Sequence, residues 1–370
     1  MYTFPIIRNI DDILSAIADK KEFIVAKRDF GTVVNYVVAM ADTFDMTGPD
    51  DIDGAIRREA RGIIFDNQGK IISRPFHKFF NVGEREETQP SMIDLSKPHV
   101  VLDKVDGSMV RPLVVDGVLR LATKMGLTDV AVGAEQLLNV EQIEWLKDQF
   151  NASITPLLEY VSPANKIVIP YTESKLILTA IRDNVTGQYL DMSSSPFEAV
   201  NSSSSIHDLD AFLKFKRTEE GREGDVIRFD NGEMLKVKND WYLRIHKTKD
   251  LIRFDRYIAE IIINEQLDDI IPLLDFNDRA TVRAYEKTFD ESVKRVTARL
   301  DDLIKVAKDV YGGNKKNIAL NMVPHLVNKE DAAFIFGAMD GKDVRSMLIA
   351  KIKSDVNNTA KYDKLVEWMQ

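Results

Sequence analysis

Residues 223–238 read Glu-Gly-Asp-Val-Ile-Arg-Phe-Asp-Asn-Gly-Glu-Met-Leu-Lys-Val-Lys, and this stretch decides the fold. Apolar and polar residues alternate on either side of Asp230-Asn231-Gly232, the pattern of two strands closed by a tight turn. The spacing predicts a hairpin with strands at 225–229 and 233–238. On the second strand Lys236 and Lys238 share a face, and Val237 takes the other. Working outward, the same grammar recurs twice: runs at 62–65 and 70–73 flank Asp66-Asn67-Gln68-Gly69, and runs at 112–115 and 118–122 flank Asp116-Gly117. Three hairpins predict antiparallel sheet through the first two thirds of the chain. Helical patterns fall between them at 9–18, with Asn9 as a candidate cap, and at 130–138 and 143–150. The serine-rich run 201–205 reads as a loop or as the cap of a helix through 208–215.

After residue 246 the pattern changes. Val282, Tyr285, Phe289, Val293, Val296, Leu300, Leu303 and Ala307 recur at steps of three and four, which predicts a long amphipathic helix over 278–310. Tyr311-Gly312-Gly313-Asn314 ends it. Further helices are expected at 255–271, 332–339, 343–353 and 361–369. The expected architecture is therefore α+β: an antiparallel-sheet domain at 1–246 and an all-helical domain at 247–370. The helical part is either a packing domain or a substrate-recognition domain beside a catalytic core.

The chain has no cysteine, which excludes disulfides and thiolate chemistry. Its five histidines lie far apart in sequence, so no zinc site is expected and each reads as a surface or packing residue. A net charge of −9 argues against a protein that coats nucleic acid generally, but is compatible with a local basic cleft. Acidic residues at positions 11 and 12 come too early for a signal peptide, and no apolar run approaches the roughly 20 residues of a membrane span. A cytoplasmic, monomeric protein without a membrane partner is expected.

The residues with chemical promise begin with Asp103-Lys104-Val105-Asp106-Gly107-Ser108, set between strand-like runs at 100–102 and 109–110. A lysine attacks phosphorus only as the neutral amine, and its ordinary pKa is about 10.4, so nearby cations or loss of water must favour that form. Arg61, Lys78, Lys236 and Lys238 are such cations on apparent strands. The paired lysines Lys236 and Lys238 could stabilise charge on an α-phosphate, or could be a solvated strand face. Glu159 sits among apolar residues and Glu223 opens a strand. Each suits a hydrated Mg²⁺ carrying phosphate oxygens, or a salt bridge to a nearby lysine.

In this order the motifs resemble the covalent nucleotidyltransferase superfamily of ATP-dependent DNA ligases, RNA ligases and mRNA capping enzymes. Lys104-Val105-Asp106-Gly107 resembles its nucleophile motif. Leu158-Glu159-Tyr160 and Arg222-Glu223-Gly224-Asp225-Val226 resemble its carboxylate motifs. Ser174-Lys175-Leu176-Ile177-Leu178 resembles the strand beside the base and ribose, and Leu235-Lys236-Val237-Lys238 the paired-lysine motif. Flanking segments narrow the likeness to bacteriophage RNA ligases of the tRNA-repair type: Ala60-Arg61-Gly62-Ile63-Ile64-Phe65, Ser73-Arg74-Pro75 with Lys78-Phe79-Phe80-Asn81, residues 159–168, and Lys238-Asn239-Asp240-Trp241-Tyr242. The similarity spans roughly 30–246.

The resemblance implies an ATP-grasp-like ligase core and a set of roles. Lys104 would be the nucleophile that carries AMP. Arg61, Lys78, Lys124 and Lys175 would contact nucleotide or phosphates, and Lys236 and Lys238 the α-phosphate. Glu159 would bind ribose or the water shell of Mg²⁺ or Mn²⁺, and Glu223 would hold the metal's waters. Asp106 is a further metal candidate, or an organiser of Lys104, or a turn cap. Tyr242 matches an aromatic of the family. Met125 and Tyr160 depart from it, where a smaller or polar residue and a phenylalanine are expected. The implied activity is ATP-dependent joining of 5′-phosphate and 3′-hydroxyl RNA ends through lysine–AMP and AMP–RNA. The implied substrate is tRNA cleaved in its anticodon loop, with a polynucleotide kinase-phosphatase healing the ends upstream, in a host cytoplasm if the origin is a phage. The rivals are a DNA ligase, a capping nucleotidyltransferase, and an RNA-binding protein with a decayed ligase core. Both enzyme rivals usually carry a small β-barrel where this chain reads as helical.

Overall fold

The computed structural model describes residues 4–40, 42–48, 50–356 and 358–370. The chain divides into two units, Met1–Leu243 and Arg244–Gln370. The division falls three residues before the position expected from composition. Both positions lie inside one helix, Asp240–Leu251, whose sequence carries no apolar period to reveal it.

The strands of the first unit are β1 (Phe23–Arg28), β2 (Gly31–Tyr36), β3 (Ile63–Phe65), β4 (Ile71–Ser73), β5 (Phe80–Asn81), β6 (His99–Lys104), β7 (Ser108–Val115) and β8 (Val118–Ala122). They continue as β9 (Ile154–Val161), β10 (Lys175–Asp183), β11 (Tyr189–Leu190), β12 (Glu198–Ala199), β13 (Ser202–Ser203), β14 (Gly224–Phe229) and β15 (Met234–Lys238). Its helices are α1 (Asp11–Ile17), α2 (Ile52–Glu59), α3 (Asp129–Glu135), α4 (Val140–Asn151) and α5 (Leu209–Thr218).

The strands form three sheets, ordered β1-β2-β3-β4, then β11-β10-β9-β7-β8 with β12 beside β10, then β13-β6-β14-β15-β5. The pairs are antiparallel except β10 with β12 and β15 with β5. All three expected hairpins form. In the tightest, Val115 faces Val118 across Asp116 and Gly117, which take φ of 50° and 76°. Positive φ at both central residues matches the strand twist, which is why Asp-Gly serves there.

Each sheet has its own apolar layer. Ile13 and Ile17 of α1 and Ile56 of α2 pack on Val34, Ile63 and Phe65 of the first sheet. Ala131, Ala134 and Leu146 of α3 and α4 pack on Val110, Leu158 and Leu178 of the second. Leu209 and Leu213 of α5 cover Ile227, Leu235 and Val237 of the third. Beneath the first two layers lies a buried charge cluster. Glu59, Arg74 and Arg182 have no exposed surface, and both guanidiniums pair with the one carboxylate, Arg74 at 3.0 Å and Arg182 at 2.7 Å. Burial alone would raise Glu59, but Arg182 and Arg74 hold it down to about 2.

Three local expectations change. Asn9 does not cap α1: its side chain accepts from Asp11 N at 3.0 Å, a turn two residues long, and Ile10 holds the cap position. Residues 201–205 contribute an edge strand, β13 paired with β6, and Asp208 caps α5 by accepting from Ala211 N at 2.9 Å. The helix expected over 255–271 breaks at Asn264-Glu265, where Glu265 takes a φ of 59°.

The second unit is all helical among its described residues. After α6 (Asp240–Leu251) come α7 (Asp255–Ile263), α8 (Leu267–Ile270), α9 (Phe276–Asp309), α10 (Lys315–Asn321), α11 (Asp331–Met339), α12 (Val344–Asp355) and α13 (Thr359–Met369). Phe289, Val296 and Leu300 of α9 form the spine against which Phe334, Leu348, Ile352 and Trp368 pack. Buried Asp331 is satisfied by Trp368 Nε1 at 2.7 Å and Arg299. Among the described residues no helix is long and apolar enough to cross a membrane.

Candidate active site

The second and third sheets face each other across a cavity of about 630 Å³. Leu102 and Lys104 of β6, Val226 of β14 and Lys236 and Lys238 of β15 line one side, and Met109, Glu159 and Thr179 line the other.

Lys104 is the last residue of β6, and its cross-strand partner on β14 is Gly224, which also faces Lys238 on β15. The three strands close this tightly because Gly224 has no side chain: a Cβ there would lie 2.0 Å from Val237 O, and its φ is 147°. The residue just before it, buried Glu223, is thereby delivered between the two lysines. Its carboxylate oxygens lie 2.8 Å from Lys104 Nζ and 3.0 Å from Lys238 Nζ. Of the two readings open for Glu223, the salt bridge is the one seen, and its partners are the two lysines of interest.

A second group of cations surrounds Tyr36, at the end of β2. Lys124 Nζ lies 4.1 Å from the Tyr36 ring centroid. Burial would raise the Tyr36 phenol, but Arg61, Lys124 and Lys78 together bring it below the ordinary tyrosine value. Arg61 donates from Nη1 to His77 O at 2.9 Å, so it fixes the backbone that carries Lys78. Lys78 lies over the Phe80 ring at 5.1 Å and lines a smaller cavity of about 110 Å³ rather than the main one. Lys236 joins the two groups. Its ammonium stands 4.6 Å over the Phe79 ring, and burial first, then Arg61, Lys78, Lys104 and Lys238, pull it down to about 7.

That depression has a measurable sign. Below pH 7 Lys236 is charged in both folded and unfolded chains, so the folded state bears the full cost of burying it. Between pH 7 and 10.5 the unfolded chain binds the additional proton, and stability rises with pH. Lys236→Met should therefore stabilise the protein most below pH 7, and the advantage should shrink toward pH 10.5. Thermal melts of both proteins across that window check this; a pH-independent difference would refute it.

Glu159, on β9 opposite Met109, is partly buried. Loss of water is the largest influence and pushes it up to about 7; Lys104 opposes this, while Glu223 adds to it. Thus of these two carboxylates Glu223 is paired with two lysines, and Glu159, on the cavity wall, is short of positive charge. Among the described residues no group of three or more His, Cys, Asp or Glu could hold a metal ion. Glu159 is the carboxylate here whose oxygens could meet the water shell of a divalent cation arriving on phosphate oxygens, whereas both Glu223 oxygens are engaged by lysines.

Asp106, Tyr242 and Lys175 also lie off the main cavity's wall. Asp106 is buried, and neither oxygen faces the cavity: Oδ2 accepts from Val168 N at 2.8 Å and Ile169 N at 2.7 Å, and Oδ1 from Tyr242 Oη at 2.7 Å. These bonds make it a latch on the turn after Lys104, with Tyr242 as the bolt. Lys175 reaches out to Glu198 at 3.4 Å on the surface. Met125 is half exposed, and Tyr160 is buried in the second sheet's apolar layer, so neither departure alters the cavity wall.

A family model described as RNA ligase matches residues 59–249, just over half of the chain and all of the cavity's charged groups. The chain belongs to the RNA ligase family. A protein of Thermovibrio ammonificans named "Putative RNA ligase" is 32% identical to this RNA ligase family member over 244 residues. That match covers 62% of this chain and 64% of the relative, so the chain spans less than two thirds of that relative's length. RNA ligase 1 of Bacteriophage TS2126 is 28% identical over 299 residues, 75% of this chain and 73% of its own. A solved archaeal ATP-dependent RNA ligase shares 12% identity with this family member, with a TM-score of 0.44 over 89% of this chain and 95% of that one.

Proposed function

We propose that this chain is an ATP-dependent RNA ligase in which Lys104 carries AMP. The observation that carries the reading is Glu223 bridging Lys104 and Lys238 at 2.8 and 3.0 Å, in a cavity whose other cations stand ready for phosphate.

In the first step the Lys104 amine attacks the α-phosphorus of ATP. A P–N bond forms, the bond to pyrophosphate breaks, and the proton on the attacking nitrogen passes to the Glu223 carboxylate 2.8 Å away. Lys238 and Lys236 hold the α-phosphate oxygens, and the group around Tyr36 holds the pyrophosphate end, so charge is met where it develops. A divalent cation, when bound, would further neutralise phosphate charge. In the second step an oxygen of an RNA 5′-phosphate attacks the same phosphorus, and the P–N bond breaks as Lys104 regains its proton. In the third an RNA 3′-hydroxyl attacks the RNA phosphate, and AMP leaves.

Nicked tRNA is the proposed acceptor, the helical unit the proposed RNA-recognition domain, and an end-healing kinase-phosphatase the proposed upstream partner. The supports are the motif likeness to tRNA-repair ligases and the phage relative. Two assays test this. Labelled ATP, and not GTP, should leave AMP on the protein; label from GTP alone would replace the ligase reading with a capping one. Nicked tRNA, linear RNA and nicked duplex DNA, each with 5′-phosphate and 3′-hydroxyl ends, should be sealed in descending order. Preferential sealing of DNA would overturn the choice of RNA.

A further inference from the structure

Arg111, in the middle of β7 opposite Ala122, has no exposed surface. It forms no ion pair among the described residues. One nitrogen, Nη2, donates to the carbonyl of Gly62, while Nε and Nη1 have no partner there. Burial alone pushes its guanidinium down to about 9. A buried charge without a counter-charge lowers stability, so its presence in the sheet asks for a different account.

The account lies in what Gly62 connects. Gly62 takes a φ of 96°, and a Cβ there would lie 2.5 Å from Lys124 O, so its peptide is pressed against the backbone of Lys124. Its N–H donates to Val34 O at 2.9 Å, on the strand that ends in Tyr36. Its neighbour Arg61 grips His77 O at 2.9 Å, next to Lys78. Arg61, Lys78, Lys124 and Tyr36 therefore all lie one or two links from Gly62, the residue whose carbonyl Arg111 holds. None of them touches the other group, Lys104, Glu223 and Lys238, through any hydrogen bond or ion pair described above.

We propose that Arg111 is a positioning residue for lysine adenylylation, holding the Gly62 carbonyl and so setting Gly62 so that the cations around Tyr36 receive the pyrophosphate end of ATP. This rests on the ligase reading given above, and it makes a narrower claim. Those cations serve a group that departs in the first step, so Arg111 matters to AMP capture and not to sealing.

The test compares two half-reactions of the full chain. Arg111→Met should melt at or above the temperature of the unsubstituted protein, because an unpaired buried charge is exchanged for an apolar side chain of similar length. Its formation of Lys104–AMP should slow about tenfold or more, expressed mainly as a raised KM for ATP, the scale expected when a phosphate clamp is misplaced. Sealing of RNA supplied with AMP already on its 5′-phosphate should stay within about twofold. Arg111→Lys, which keeps the charge and one donor, should recover part of the first step. Equal loss in both half-reactions, or loss in neither, overturns the proposal, and if Arg111→Met does not fold the same comparison is read on Arg111→Lys. Failure of the unsubstituted protein to form Lys104–AMP would instead overturn the ligase reading, and shows before any variant is made.

Discussion

Lys104→Ala should form no covalent adenylate with labelled ATP, a fall of about 10³-fold or more, the scale seen when a nucleophile is removed from a catalytic group that works as a unit. The geometry makes this a clean substitution. Lys104 is partly exposed to the cavity, and its removal leaves Glu223 paired with Lys238 at 3.0 Å, while Glu159, with Lys104 gone, is pushed further toward its neutral form. The folded state should persist, with an unchanged circular dichroism spectrum. Because Lys104 has done its work once AMP is on the RNA, the variant should still close RNA that is supplied already adenylylated. A Lys104→Ala protein that labels with ATP would show that another residue is the nucleophile.

Glu59→Gln should cost about 3–5 kcal/mol of stability, among the largest effects of a single substitution in this chain. Glu59 is the carboxylate that pairs with both Arg74 and Arg182, and all three are without exposed surface. The amide keeps the shape, but leaves two buried guanidiniums facing each other. Besides Glu59, Arg74 holds the carbonyls of Pro5, Asn184 and Val185, and Arg182 holds those of Gly187 and Pro75 and lies over the Phe4 and Tyr189 rings. For a unit of this size the loss corresponds to a melting temperature lower by roughly 10 °C. Urea titration of both proteins measures it, and a difference under about 1 kcal/mol would show the cluster to be structurally idle.

The two substitutions mark the boundary of what the sequence discloses. Lys104, Glu223, Lys236 and Lys238 are legible because short-range rules govern them: strand alternation puts both lysines of β15 on one face, and the Asn-Gly turn sets β14 beside it. The long helix α9 is legible for the same reason, its period being written along one element. Tyr36 is hidden in the apolar run Val33-Val34-Asn35-Tyr36-Val37-Val38, because its meaning comes from Lys124 and Arg61, which lie far along the chain. The hairpin β1–β2 is hidden by its turn, Asp29-Phe30, which is not a turn-forming pair. Asp106 looks like a ligand because its motif does, and only Val168, Ile169 and Tyr242 show its oxygens to be taken. Arg74, Arg111 and Arg182 look like surface residues, since nothing near them in sequence announces a buried counter-charge or a carbonyl to grip.

The cluster of Glu59, Arg74 and Arg182 also bears on the order in which the chain leaves a ribosome. Glu59 and Arg74 are 15 residues apart and can meet as soon as β4 has emerged, whereas Arg182 follows Glu59 by 123 residues. At about 5–20 residues per second, the nascent first sheet waits several seconds for the strand that completes it. During that interval the early pair is electrically neutral, and so tolerates the wait with less exposed charge than a lone carboxylate would. When β10 arrives, Arg182 joins Glu59 and ties the early sheet to the later one.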